Sequence, residues 1–303
     1  MLFRSVVLGD EGEAAWDVTG VLLHVRSTAT EEGDSDTISL GAGGSVVIGG
    51  LGGDSITTLG GLDRVFGDNG EFLYSGGELV SAISLATSLG GDDVINIGAD
   101  GGVVIAGQGA DSVTAGVGDH YVIGDNGEIT WNALGEREAM RAIAHDQGGN
   151  DVIDIGFGHN LIIGGFGDDD ITVSGGSAFM AGDNVEITFD ASGNISEVLT
   201  VDSIATAGNN RLSMGDGIAQ LIGGLGDDEI TAGDGDYHVL ADGGSLSYVD
   251  GVLVSASSSG TGVGGHDIVT LGNGDMVVIG GAGMDAITTG TGFEDPEEHT
   301  SEL

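Results

Sequence analysis

One nine-residue motif constrains the fold of this chain more than any other feature. GGLGGDSIT, residues 49–57, returns as AGQGADSVT, GGFGDDDIT, GGLGDDEIT and GGAGMDAIT at offsets of 57, 58, 59 and 57 residues. These copies divide the chain into repeats that begin near residues 9, 67, 124, 182 and 241. A series of this kind predicts one elongated solenoid domain, residues 1–292, and an acidic tail, residues 293–303.

Aliphatic residues recur every nine positions within each repeat. The first repeat has Ile38, Val47, Ile56 and Val65. The later repeats keep the step with Ile95, Val104, Val113 and Val122, then Ile153, Ile162, Ile171 and Met180, then Leu212, Leu221, Ile230 and Val239, and finally Val269, Val278 and Ile287. Nine residues hold a short strand and a glycine turn but no helix, and two such units close one coil. The pattern predicts an all-β, right-handed parallel β-roll or β-helix.

A segment of roughly 20 residues interrupts the nine-residue step after each pair of coils. Apolar and polar residues alternate in it around a glycine-containing turn, which predicts a β-hairpin or a wider third coil. In the third of these segments, residues 135–145 could instead form a helical turn. An aromatic residue recurs at one position of these segments: Trp16, Tyr74, Trp131, Phe189 and Tyr248. This aromatic column is expected to cover the side of the solenoid or to contact a glycan or a neighbouring chain.

The charge of the chain excludes two classes of partner. Its 49 acidic residues face only six arginines and no lysine, which gives a formal net charge of −43. Such a charge excludes nucleic acid and an anionic membrane as electrostatic partners and favours cations. The 40% apolar content argues against disorder, and no apolar run is long enough for a signal peptide or a membrane span. A halophilic surface would also be acidic, but it predicts scattered acids.

The acids are not scattered, because fourteen aspartates recur at three repeated positions on one predicted edge. The motif aspartates are Asp54, Asp111, Asp169, Asp228 and Asp285. One coil earlier stand Asp36, Asp93, Asp151 and Asp267, with Asn210 as the neutral exception, and one coil later stand Asp10, Asp68, Asp125, Asp183 and Asp242. The last group lies mostly in GDNG-like turns with Asn69, Asn126 and Asn184.

This arrangement predicts several calcium sites. Ca²⁺ takes six to eight hard oxygen ligands in tolerant geometry, whereas magnesium demands a stricter octahedron. The turn glycines expose backbone carbonyls beside the carboxylates, and the predicted sites therefore include Gly49, Gly107, Gly164, Gly223 and Gly280. The competing interpretation is that the aspartates only shape turns by bonding to their own backbone. Stacked like charges repel one another unless a cation lies between them, which favours the metal.

The motif GGLGGDSIT and its four partners resemble the nonapeptide repeats of the repeats-in-toxin, or hemolysin-type calcium-binding, family. The resemblance implies a parallel β-roll with calcium between stacked turns, secretion to the extracellular space or cell surface, and folding that waits for external calcium. Two departures from the family are the inserts and the absence of the full motif from the second edge. The catalytic domains of the family's toxins and proteases have no counterpart here.

The sequence predicts no enzyme. His120 and His238 occupy nearly the same place in two repeats, but they form no metal pair or catalytic order with other residues. We expect a calcium-binding structural protein of the bacterial or archaeal surface: a spacer, an adhesin segment, or a surface-layer or filament subunit. The alternative is a carbohydrate-binding or polysaccharide-modifying β-helix that uses the aromatic column. Stacking of chains head to tail into filaments is a further expectation, because solenoid ends expose unpaired strand edges.

Overall fold

The computed structural model describes residues 5–28, 30–201, 208–258 and 264–292. These residues form thirty strands in three ten-stranded sheets, and they contain no helix. No helix of this part of the chain is therefore long and apolar enough to cross a membrane. The all-β parallel solenoid expected from the repeats is confirmed. The predicted acidic tail, 293–303, lies outside the described residues.

Two of the three sheets are parallel and receive one strand each from every coil. The central sheet contains β1 (Ser5–Leu8), β5 (Ser45–Ile48), β7 (Asp63–Phe66), β11 (Gly102–Ile105), β13 (His120–Ile123), β17 (Gly158–Ile163), β19 (Gly176–Ala181), β23 (Gly217–Gly224), β25 (Gly235–Asp242) and β29 (Met276–Ile279). The outer sheet contains β4 (Thr37–Ser39), β6 (Ser55–Thr57), β10 (Val94–Ile97), β12 (Ser112–Ala115), β16 (Val152–Ile155), β18 (Asp170–Val173), β22 (Arg211–Met214), β24 (Glu229–Ala232), β28 (Ile268–Leu271) and β30 (Ala286–Thr289).

The inserts form the third, hairpin sheet, which is antiparallel. It contains β2 (Gly12–Trp16), β3 (Leu22–Ser27), β8 (Gly70–Ser75), β9 (Glu78–Ser84), β14 (Gly127–Trp131), β15 (Arg137–Ala142), β20 (Val185–Phe189), β21 (Ile195–Thr200), β26 (Gly244–Val249) and β27 (Val252–Ser258). The hairpin prediction is thus confirmed and the third coil is not formed. The prediction of a helical turn over residues 135–145 is wrong. Buried Met140 and Ala142 alternate with exposed Arg141, which is the pattern of a strand.

Strand register confirms the nine-residue step. Ile38 pairs with Ile56 in the outer sheet, and Val47 pairs with Val65 in the central sheet, each across one 18-residue coil. These aliphatic columns meet between the two parallel sheets and form the first of two hydrophobic cores. The second core lies between the opposite face of the central sheet and the hairpin sheet, with Phe66 packed on Phe72 at 4.5 Å between ring centroids.

The central sheet is buried on both faces, and its sequence shows it. All four residues of β5, SVVI, are buried, whereas β16, VIDI, alternates exposed and buried residues. A parallel sheet covered on both sides needs apolar residues at every position, while a sheet with one solvated face needs only every second one. The chain therefore forms three layers, with the central sheet between the outer sheet and the hairpins.

The aromatic column lies at one repeated irregularity in the hairpins. Each aromatic residue follows a register shift in its hairpin. Tyr74 and Tyr248 are buried, Trp131 and Phe189 are half-buried, and Trp16 is 51% exposed. The column therefore covers the central sheet at Tyr74 and Tyr248 and leaves part of its aromatic surface open elsewhere.

At the two ends of the stack, β1 and β29 each pair with one neighbour in the central sheet, as do β4 and β30 in the outer sheet. Stacking of chains end to end stays a prediction.

Neighbouring residues of β16 provide a test of the first core. Ile153 is fully buried, so Ile153→Ala should lower the free energy of unfolding by about 2–5 kcal/mol. Val152, next to it, is 53% exposed, and Val152→Ala should change that free energy by less than about 0.5 kcal/mol. Urea denaturation followed by circular dichroism measures both values. Equal losses in the two variants would contradict the assignment of the faces of β16.

Candidate metal centres

One residue of each coil stands immediately before an outer-sheet strand and points into the edge of the solenoid. We call this set the aspartate ladder: Asp36, Asp54, Asp93, Asp111, Asp151, Asp169, Asn210, Asp228, Asp267 and Asp285. The backbone N–H of each member donates to the side-chain Oδ1 of the next, at N to O distances of 2.6–3.2 Å. The sequence predicted the column, and the structure joins it into one continuous chain of hydrogen bonds.

The second carboxylate oxygen has no such partner in most of the ladder. Oδ2 is buried and accepts no hydrogen bond in seven members: Asp54, Asp93, Asp111, Asp151, Asp169, Asp228 and Asp267. Each of these seven aspartates is no more than 2% exposed. Turn formation therefore accounts for Oδ1 alone, and the buried Oδ2 atoms require another explanation.

The motif glycines are required by the approach of these Oδ2 atoms. A Cβ added to Gly49 would lie 2.2 Å from Oδ2 of Asp54, and one on Gly164 would lie 2.3 Å from Oδ2 of Asp169. Gly223 and Gly280 stand in the same relation to their own motif aspartates, at 2.5 Å each. Gly107 differs, because its added Cβ would meet Oδ2 of Asp68 at 2.4 Å. Only glycine leaves room for the carboxylates.

The aspartates of the GDNG-like turns tie two coils together, and we call them the bridging aspartates: Asp10, Asp68, Asp125, Asp183 and Asp242. In Asp183, Oδ1 accepts from Gly208 N at 3.1 Å and Oδ2 accepts from Leu225 N at 2.7 Å. Asp68, Asp125 and Asp242 accept from the equivalent pairs of backbone N–H groups, and Leu51 N donates to Asp10. These carboxylates are the most fully hydrogen-bonded acids of the edge.

The asparagines of the same turns do something else. The backbone carbonyls of Asn69, Asn126 and Asn184 accept from the residue at which the hairpin ends, at 2.8–3.0 Å. The side-chain amide of Asn126 also donates to the Thr87 carbonyl at 3.0 Å. These bonds fix the return of the hairpin to the coil. The predicted ligand role of Asn69 and Asn126 gains no support from this geometry.

Asn210 shows what the buried position requires. Its Nδ2 donates to Oδ1 of Asp183 at 2.8 Å and to the Gly223 carbonyl at 3.2 Å. In the other repeats the same place is held by a carboxylate, for example Asp93 beside the bridging Asp68 and Asp151 beside the bridging Asp125. Two ionised carboxylates are both acceptors, so neither can donate a hydrogen bond to the other. The Asp68–Asp93 and Asp125–Asp151 pairs therefore need a proton or a cation between them, whereas the amide of Asn210 donates to Asp183 directly.

Burial and mutual repulsion raise the pKa values of these carboxyl groups. Burial raises the pKa of Asp93 to about 10, and the nearby charges of Asp111 and Asp68 act in the same direction. Burial likewise raises the pKa of Asp68 to about 9 and that of Asp228 to about 8. The pKa of Asp151 is raised well above its ordinary value by burial and by the charge of Asp125. The charged ladder is therefore unfavourable without compensation.

No cation among the described residues pairs with the ladder to provide that compensation. The ion pairs among the described residues join Arg26, Arg141, Arg211 and His24 to surface acids, and none includes a ladder residue. The described part of the chain also contains no group of three or more His, Cys, Asp or Glu side chains that could hold a metal. A cation here would take two carboxylates and complete its shell with backbone carbonyls, which Ca²⁺ accepts.

Backbone carbonyls do lie beside the orphaned oxygens. A Cβ on Gly67 would meet both Oδ2 of Asp93, at 2.0 Å, and the Ala106 carbonyl, at 2.5 Å. A Cβ on Gly124 would meet Oδ2 of Asp151 at 2.1 Å and the Gly164 carbonyl at 2.7 Å. Oδ2 of Asp93 and Oδ2 of Asp151 thus each border the same glycine as a backbone carbonyl oxygen.

The sequence did not reveal a second, exposed ladder next to the first. The residues before several ladder members repeat the same bond at the surface: Ala110 N donates to Asp92 Oδ1 at 2.9 Å, and Asp227 N donates to Asn209 Oδ1 at 2.8 Å. The available signal was the Asp or Asn that precedes many ladder residues: Asp92, Asn150, Asp168, Asn209 and Asp227. These side chains are exposed and fully accounted for by turn bonds.

His120 and His238 take no part in the candidate metal sites. His120 is buried, its Nε2 lies 3.0 Å from the Gly116 carbonyl, and burial lowers its pKa. Burial also lowers the pKa of His238, whose ring lies 6.1 Å from that of Tyr248. Both are neutral packing residues.

Comparisons with protein-family models, with curated proteins and with solved structures found no match for this chain. The resemblance to the repeats-in-toxin family therefore stays a prediction.

The raised pKa values predict an unusual pH dependence in the absence of divalent metal. The carboxyl pKa in the folded state is about 6 for Asp267, about 7 for Asp54 and about 8 for Asp228, against an ordinary value of 3.8. The folded state therefore holds protons that the unfolded chain has released. Stability should fall as pH rises from about 4 to 8, by about 1.4 kcal/mol per pH unit for each carboxyl in its titrating range.

Urea denaturation in EGTA at several pH values tests this dependence. Asp228→Asn should flatten the slope between pH 4 and 8, because the amide neither binds nor releases a proton. Stability in EGTA that rises with pH would contradict the buried carboxyl pairs.

Proposed function

We propose that this chain is a calcium-binding structural protein of the bacterial or archaeal cell surface, without catalytic activity, that folds and rigidifies when calcium is bound. The observation that supports this proposal is the row of buried, unpartnered carboxylate oxygens at positions where Asn210 makes two hydrogen bonds. Calcium, when bound, would supply the positive charge that these oxygens lack.

The chemistry of the oxygens favours calcium over other ions. The candidate ligands are carboxylates and carbonyls, with no thiolate in the chain and no histidine in the ladder. Such a set is hard and fits Ca²⁺ or Mg²⁺ rather than zinc or copper. Several carboxylates are already fixed by hydrogen bonds to the backbone, and Mg²⁺ needs a near-ideal octahedron that these fixed groups do not offer readily.

The pairs of Asp68 with Asp93 and of Asp125 with Asp151 are the best supported sites. Each pair combines a bridging aspartate, a ladder aspartate with an orphaned Oδ2, and a carbonyl from the next coil, Ala106 or Gly164. The pair of Asp242 with Asp267 repeats the two acids, and burial, together with the charge of Asp242, raises the pKa of Asp267. The pair of Asp183 with Asn210 differs from these, because the Asn210 amide already donates to the Asp183 carboxylate.

Folding and metal binding are coupled in this proposal. In neutral solution without metal, folding buries the ladder carboxyl groups either charged and mutually repelling or with bound protons, and both costs favour the open chain, in which water solvates the ionised groups. Any ligand that binds only the folded state stabilises it, so the coils close when the carboxylates are neutralised. A stack that orders outside the cell suits a spacer, an adhesin segment, or a subunit of a surface layer or filament.

The direct test is far-ultraviolet circular dichroism of the chain in EGTA, followed by calcium titration. We expect a cooperative gain of β signal and of melting temperature with calcium, and much smaller gains with magnesium or concentrated sodium chloride. A chain that is folded in EGTA at pH 8 and does not respond to calcium would refute the proposal. Equal rescue by sodium chloride would indicate general charge screening instead.

Exchange of the two side-chain types provides a matched pair of variants. Asp151→Asn should reproduce the natural Asn210 arrangement, bind fewer calcium ions and retain more structure in EGTA. Asn210→Asp should create a further carboxylate pair with Asp183, bind more calcium and lose stability in EGTA. Equilibrium dialysis with elemental analysis counts the ions. Unchanged ion counts in both variants would show that protons, rather than calcium, occupy the pairs.

A further inference from the structure

A cavity of about 610 Å³ opens between two neighbouring hairpins, on the edge of the solenoid away from the aspartate ladder. Arg64, Val103 and Tyr121 of the central sheet contribute to its lining. Glu78 of one hairpin and Trp131 of the next also line it. This volume falls within the usual range for small-ligand sites, and the lining combines aromatic, apolar and charged groups as such sites do.

A second cavity, of about 340 Å³, follows on the other side of Tyr121. Asp119 and Tyr121 line both cavities. Phe189 and Gln220 belong to the second alone. The shared residues make the two cavities consecutive compartments along the solenoid, with Tyr121 between them. Such a row suits a chain-like ligand better than a single compact molecule.

Arg137 holds the boundary between the compartments. Its guanidinium carbon lies 4.8 Å from the ring centroid of Tyr121 and 4.7 Å from that of Phe189. Its Nη2 donates to the Gly193 carbonyl at 3.2 Å, and no ion pair among the described residues includes it. Arg137 is also the cross-strand partner of Trp131. The arginine thus fixes the aromatic walls and retains further N–H donors for a ligand.

We propose that this pair of cavities binds a neutral oligosaccharide, with Trp131 as the platform for one sugar ring. The C–H face of a pyranose is apolar and packs on an indole ring, while its equatorial hydroxyls donate to carboxylates and accept from arginine. Trp131 is half-buried beside the cavity, and the exposed carboxylates of Glu78 and Asp119 line it. No covalent step is involved.

The charges around the cavity select a neutral rather than an acidic sugar. Glu78, Asp100 and Asp119 all line the first cavity, and the whole chain carries a net charge of −43. A uronic acid or sulfated sugar would bring further negative charge into this field. The aromatic column as a whole is not the binding surface, because the side chains of Tyr74 and Tyr248 are buried between the hairpin sheet and the central sheet.

The two tryptophans of the sequence make the test specific. Trp16→Phe leaves Trp131 as the only tryptophan, so its fluorescence reports on the cavity. This variant, saturated with calcium, is titrated with cellohexaose, xylohexaose, maltohexaose and triacetylchitotriose. We expect a saturable change in Trp131 emission with at least one of these sugars.

Variants then locate the site by calorimetry with the sugar that binds. Trp131→Ala should weaken binding at least tenfold, whereas Trp16→Ala, in a hairpin far along the stack, should not change it. Asp119→Asn should also weaken binding about tenfold through loss of a charged acceptor. Its amide oxygen can still accept from His159 N, a bond of 2.9 Å in the native turn.

Several outcomes would overturn the proposal. The absence of a saturable response to all four sugars at about 10 mM, the weak limit of specific binding, would refute it. So would binding of polygalacturonate in place of the neutral sugars, or unchanged affinity in Trp131→Ala. If Trp131→Ala loses the native circular dichroism spectrum, Asp119→Asn decides, and unchanged affinity in that variant overturns the site.

Discussion

The structure depends on one Asp or Asn side chain per coil at the edge where central-sheet strands give way to outer-sheet strands. Each ladder residue donates its own N–H to the next side chain and accepts from the one before, so every coil positions its neighbour. A side chain without an oxygen at this distance would leave a buried N–H unsatisfied, which costs about 1–3 kcal/mol. Aspartate and asparagine have this reach, and the ladder contains no other residue type.

The bridging carboxylate beside a ladder residue can be compensated in three ways: by an amide, by a proton or by a cation. Asn210 shows that the amide fits this fold and needs nothing from the solvent. A solenoid that only had to be stable could use asparagine in every coil. In the proposed function, the carboxyl groups of Asp93, Asp151 and Asp267 make the stability of their coils depend on pH and on available cations, because burial raises their pKa values. Conditional folding, rather than maximal stability, is what this proposal predicts.

Much of the fold could be predicted from the sequence, because the nine-residue step fixes both the inward columns and the strand register. The two parallel sheets also differ in sequence. SVVI of the central sheet is buried on both faces, whereas VIDI of the outer sheet is buried on one face only. Other features depend on distant residues. Asp68 is fixed by the N–H of Gly91, which follows a whole hairpin, and Tyr74 is covered while Trp131 stays half-open. The orphaned Oδ2 atoms were also beyond prediction, because they result from how closely two coils approach.

The ladder and the oligosaccharide cavities lie at opposite ends of the same central strands. Asp63 and Gly102, which line the first cavity, begin β7 and β11, whereas the bridging and motif turns follow the last residues of these strands. A four-residue strand spans about 13 Å and separates the two regions. No ladder residue is among the described residues that line either cavity, so the ladder does not touch a ligand bound there. Under the proposed function the ladder acts on the cavities through folding, because the strands that carry Tyr121 and Trp131 come together only in the folded stack.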